Sequence, residues 1–144
     1  MAGGVGGKNL VVLLDSDKEG SNARTRLNSD LFTADSRIVL LGDAIGRQKA
    51  TIEDMVDLDT YGQALNVVGY ALSFIAEERG LACNADACTS AFRRLNLGDF
   101  DHVAKTKAAL SLIDEWIKHP DRVPNETMDH AKSLFRALNG KFSS

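Results

Sequence analysis

The stretch Leu10-Val11-Val12-Leu13-Leu14-Asp15-Ser16-Asp17-Lys18-Glu19-Gly20 limits the fold of this chain more than any other, because it drives an apolar run straight into two carboxylates and a glycine. Consecutive branched apolar residues suit a strand buried on both faces, as in a parallel sheet covered by helices. Ligands of such sheets bind beyond the carboxyl ends of the strands. Residues i and i+2 of an extended segment point the same way, so Asp15 and Asp17 are expected to share one hard cation, magnesium or manganese. Without a counter-charge the pair would repel itself.

The first strand is expected over about Asn9 to Leu14, after a flexible glycine-rich lead-in at Gly3 to Gly7. A short exposed helix follows over Asn22 to Asn28, and then a second buried strand, Arg37 to Leu41, closed by Gly42 and Asp43. Strand, helix, strand is the crossover unit of a parallel sheet. Beyond Thr51 the pattern turns helical. Tyr61, Leu65, Val68, Leu72 and Ile75 recur at helical spacing and predict one helix from Tyr61 to Glu78, ended by Gly80. A shorter helical piece is expected around Thr89 to Leu95. Asp101 to Lys118 predicts a helix with Leu110, Ile113 and Ile117 on its apolar face, stopping before Pro120. The last helix starts after Asn125 as N-cap, runs through Ala131, Leu134, Phe135 and Leu138, and ends at Gly140. The fold class is therefore α/β, a small parallel sheet with a helical carboxyl-terminal half. So few strands for so many helices suggests a sheet that lacks a part.

The chain has 144 residues, 44% of them hydrophobic and 26% charged, which fits one globular domain, 1–144, with a strand and helix part (1–58) and a helical part (59–144). The amino end has no signal-peptide pattern and no apolar run reaches membrane-span length, so a soluble, cytoplasmic protein with no membrane partner is expected. Cys83 and Cys88 are too few for a disulfide framework and lack companions for a zinc site, so they read as free thiols. The net charge of −3 argues against broad phosphate neutralisation. It leaves room for a metal-dependent nuclease, whose site must be acidic to hold its cations.

The residues around the aspartates discriminate among site types. An EF-hand loop starting at Asp15 would put Arg26 at its twelfth position, where a bidentate Glu is required. A haloacid-dehalogenase-type phosphatase, with Asp15 as nucleophile, calls for Thr or Val where Glu19 stands. A phosphate loop at the glycine-rich start would have Ala2 in place of its first Gly and Asn9 in place of Ser or Thr. That segment also precedes a strand instead of following one.

By contrast, Val11 to Gly20 resembles the strand-ending Asp-x-Asp motif of the TOPRIM domain as it occurs in the overcoming-lysogenisation-defect (OLD) family of nucleases, and Thr51-Ile52-Glu53-Asp54-Met55 resembles the Ile-Glu-Asp segment of that family. A third, weaker match lies in Lys105 to Ala109, where the family places a Lys followed by Ala at a helix start. The resemblance spans Leu10 to about Ala109. It implies a TOPRIM-type sheet and magnesium- or manganese-dependent cleavage of a DNA phosphodiester. Asp15, Asp17 and Glu53 would be metal ligands, Lys105 or Lys107 would stabilise charge developing on the phosphate, and Arg24 would touch the DNA backbone. Asp54 would orient a neighbour or cap a short helix. The family's first strand, which delivers a catalytic Glu, and its ATPase domain have no counterpart here, since nothing acidic precedes Asp15. The expectation is the carboxyl part of a longer nuclease or a shortened relative, with an ATPase domain or another chain as a partner.

Plainer roles compete with these. Asp15 and Asp17 could form a capped turn, with one bonding backbone amides and the other solvated. Glu53 and Asp54 could serve the dipole of a helix's first turn. Lysines on an amphipathic helix are ordinarily solvated. Arg93 and Arg94 read as a solvent face, and His102, His119 and His130 as surface or boundary residues. Trp116, Phe135 and Tyr61 read as core. Tyr61 and Tyr70 fall within a helical pattern, unlike a topoisomerase nucleophile. The expected function is a metal-dependent DNA nickase, with a non-catalytic metal or protein-interaction module as the alternative and an Asp-nucleophile phosphatase as a distant third.

Overall fold

A computed structural model describes residues 11–29 and 38–142. The glycine-rich lead-in, the Asn9–Leu10 start of the first strand and Arg37 lie outside the described residues. The chain divides into two compact units. One comprises the described parts of Met1–Ile52 and Asp129–Ser144, and the other Glu53–Met128.

In the first unit, β1 (Val12–Leu14) and β2 (Ile38–Leu40) pair in parallel, Val12 opposite Ile38 and Leu14 opposite Leu40. The α/β class and the small parallel sheet are therefore present. Ile38 and Val39 are buried, but Leu13 is 37% exposed, so β1 is covered on one face and not on both. Its only ladder neighbour among the described residues is β2. Helix α1 covers Lys18–Ser29, starting well before the expected Asn22 because Asp17 caps it: the Gly20 amide donates to Asp17 Oδ1 at 2.7 Å. After β2 the chain turns at once into α2 (Leu41–Ile45). Leu41, expected as the last strand residue, begins this helix.

The second unit is helical. Following a 3-10 turn at Ile52–Met55, α3 spans Leu58–Val67 and is capped by Asp57, which accepts from the Thr60 amide at 3.0 Å. The single helix expected over Tyr61 to Glu78 is two. Gly69 adopts φ 107, a left-handed conformation open to glycine, and Asn66 bonds both backbone groups of Leu72 across the loop. The chain resumes helix only at α4 (Ala76–Arg79). Leu72 is still buried, which is why a helical spacing survives through a segment that is not helix.

Helix α5 covers Asn84–Arg94, longer than the expected Thr89 to Leu95, and α6 covers His102–Lys118 with Asp101 as N-cap. Helix α3 packs on α6, and the core gathers Tyr61, Leu65, Cys88, Phe92, Ala104 and Ala108. Phe100 meets Tyr61 and Phe92 edge-on, at 6.2 and 5.3 Å between ring centroids. The inward face of α6 is Ala104, Ala108 and Leu112, not the expected Leu110, Ile113 and Ile117, which are exposed. Small side chains win this face because they let the helices approach closely.

A 3-10 turn at Pro120–Arg122 leads to α7 (Asn125–Phe142), which begins in the second unit and continues into the first. Asn125 is already helical, and the helix passes through Gly140, expected to end it. Of the three aromatics expected in the core, Tyr61 is buried, Trp116 packs at its edge and Phe135 is 64% exposed. Among the described residues no helix is long and apolar enough to cross a membrane.

Candidate acidic site

In the first unit the Asp-Ser-Asp segment leaves β1 and is held by its middle residue. Ser16 forms a two-way bridge with Ala50, and its buried hydroxyl accepts from the Gly42 amide at 2.6 Å. Asp15 and Asp17 flank this anchor and are both half-buried. Asp17 gives Oδ1 to the α1 cap. Gly20 is required by a close approach: a Cβ there would overlap the Asp15 carbonyl oxygen. Ser16, Asp17 and Gly20 thus each have a mechanical role in this strand-to-helix turn. Arg24, on α1, lines a cleft of about 390 Å³ with Ile38, Asp43 and Lys141.

In the second unit, Glu53 and Asp54 sit side by side in the 3-10 turn, 6% and 0% exposed. Asn84 ties that turn to α5. Its amide donates to Asp54 Oδ1 at 2.9 Å, while its side chain donates to the Glu53 and Val56 carbonyls at 3.1 and 2.6 Å. Asp54 therefore satisfies an amide at the start of α5, one that has no partner within the helix. Glu53 turns toward α6, where Lys105 Nζ lies 3.7 Å from its Oε1. The ammonium also sits 5.5 Å from the Phe100 ring centroid. Lys107 points elsewhere, 5.9 Å from the Tyr70 ring centroid. Two residues along a helix face different ways, so of the two lysines Lys105 is the one beside Glu53.

Glu53 Oε2 is buried with no hydrogen-bond partner, and the Tyr61 hydroxyl shares that state. Burial, followed by the charge of Glu53, pushes the Tyr61 phenol far above its ordinary value. Burial likewise pushes Cys88 up to about 12, reinforced by Glu53 and Asp54. An anionic oxygen in such a place is costly unless a cation faces it. Glu53 Oε2 is a hard donor of the kind magnesium and manganese take. Among the described residues no three His, Cys, Asp or Glu side chains lie together; Asp15 and Asp17 belong to the first unit and Glu53 to the second.

Ser16 and Asn84 escape a reading of the sequence. Neither carries charge, and both act through contacts 26 or more residues away. Arg94, expected on a solvent face, reaches the buried Glu78 instead, with Nε and an Nη atom 3.0 and 2.8 Å from its two oxygens. No protein-family model matches the chain, and no curated protein or solved structure is similar enough to match it.

Proposed function

We propose that the chain is a TOPRIM-like, metal-dependent DNA-nicking module related to the OLD nucleases. Asp15 and Asp17 in the first unit, and Glu53 in the second, each offer hard oxygen ligands for magnesium or manganese, and Lys105, beside Glu53, carries the positive charge that offsets charge growing on the scissile phosphate. The cation would polarise the phosphate and lower the pKa of a bound water. The observation that carries this reading is the meeting of Glu53 and Lys105. They lie far apart in the sequence, belong to separate motifs, and come to 3.7 Å with the second Glu53 oxygen buried and unpartnered. A terminal Asp pair after a parallel strand supports it from the other unit.

A second reading, a non-catalytic module descended from such a nuclease, is favoured by Asp17, whose Oδ1 caps α1. The two separate on supercoiled plasmid with manganese. Nicking by the wild type, lost in Asp15→Ala and reduced at least tenfold in Lys105→Ala, is the outcome expected for the first. Manganese binding without any nicking would leave the second.

A further inference from the structure

We propose that the outward face of α6 is a homodimer contact, with two copies of the helix packed antiparallel about a twofold axis. The face opposite Ala104, Ala108 and Leu112 carries Val103, Leu110, Ile113 and Ile117, which are 45%, 61%, 51% and 75% exposed. With Thr106 they repeat at steps of three and four over the whole helix, the a and d pattern of a helix seam. Single exposed apolar residues are ordinary, but a continuous stripe marks a binding face.

Charge identifies the occupant. Lys107 and Asp114 stand one heptad apart on the same flank of the stripe, whereas the other flank is His102, Ala109 and Trp116. In an antiparallel pair like flanks face each other, so Lys107 comes opposite Asp114 of the second copy and, by symmetry, the reverse. In the same register Leu110 packs beside Ile113 of the second copy, and Thr106 beside Ile117. A parallel pair would instead set Lys107 against His102 and Asp114 against Ala109, with no opposite charge across either contact. The present engagements of these charges are weak ones. Asp114 holds Lys118 at 3.0 Å with both side chains about two-thirds exposed, and Lys107 rests over Tyr70. A contact of one helix face falls at the small end of specific interfaces, roughly 1,000 Å² or less, which fits micromolar association.

Sedimentation equilibrium between about 5 and 200 μM tests this. The expected result is a reversible shift from one to two chain masses, abolished in Leu110→Glu/Ile113→Glu with helicity by circular dichroism unchanged, since both positions are exposed. Lys107→Asp or Asp114→Lys alone should raise the dimer Kd about tenfold, since each creates two like-charge encounters. The double swap Lys107→Asp/Asp114→Lys should restore it to within about threefold. A chain that stays monomeric at the highest concentration, leaving the stripe to another protein, would overturn the proposal. So would a dimer that survives the double Glu variant, or one that the charge swap does not rescue.

Discussion

Replacing Arg94 with Met removes one half of the best-satisfied ion pair in the second unit and leaves the other half buried. Glu78 is 2% exposed, and its two oxygens accept from Arg94 at 2.8 and 3.0 Å, from the Ile75 amide at 3.0 Å and from Ser90 at 3.2 Å. These bonds join α4 to α5, and the first of them holds the carboxyl down to about 2, well below its ordinary 4.5. Two hydrogen bonds to a charged group are worth about 3–6 kcal/mol at full strength. Arg94 is 31% exposed, so water recovers part of that and the expected loss is about 2–3 kcal/mol. With a urea slope of about 2 kcal/mol/M, the unfolding midpoint falls by about 1 M. The pH dependence has a definite sign. Because the folded carboxyl titrates lower than the unfolded one, its contribution is complete above about 4.5 and disappears as pH drops toward about 2. Wild-type stability should therefore decline across that window more steeply than that of Arg94→Met. Urea melts at pH 7 and at pH 3 measure both quantities. A midpoint unchanged in Arg94→Met at pH 7, or parallel pH curves, would show that Arg94 does not hold the Glu78 carboxylate in place.

Three other outcomes follow from the buried polar groups. Tyr61→Phe removes a hydroxyl that has no partner and should be neutral or stabilise by up to about 1 kcal/mol in urea unfolding; a clear loss would mean the hydroxyl is satisfied. Asn84→Ala strips donors from the Glu53 and Val56 carbonyls and should cost about 2–3 kcal/mol in the same assay. The Cys88 thiol, buried and pushed up to about 12, should resist iodoacetamide at pH 8 until the protein unfolds, as read by mass spectrometry.

The parts of this molecule written in local chemistry were legible in its sequence. The apolar run before Asp15 gives a parallel strand, the helix expected from Asp101 to Lys118 is found over His102–Lys118, and Pro120 follows its end. What escaped depends on partners distant in the chain. The loop of Gly69 and Asn66 breaks a helix through a side-chain clamp on Leu72, while burial of Leu72 preserves the helical spacing. Hydrophobicity pointed to Leu110, Ile113 and Ile117 as the inward face of α6, but the fit to α3 selects alanines. The choice between Lys105 and Lys107 needed the phase of α6, which only packing supplies. Ser16 was hidden between two charged neighbours, although its hydroxyl and backbone secure the turn. Asp17 illustrates how a site residue and a cap read alike, since the same carboxylate placement serves both.

Isothermal titration of manganese into the wild type and into Asp15→Ala at pH 7 tests most directly whether the carboxylates of the Asp-Ser-Asp turn hold a divalent cation. Saturable binding by the wild type that Asp15→Ala abolishes is the predicted result. Absence of binding, or equal binding by both proteins, would contradict it.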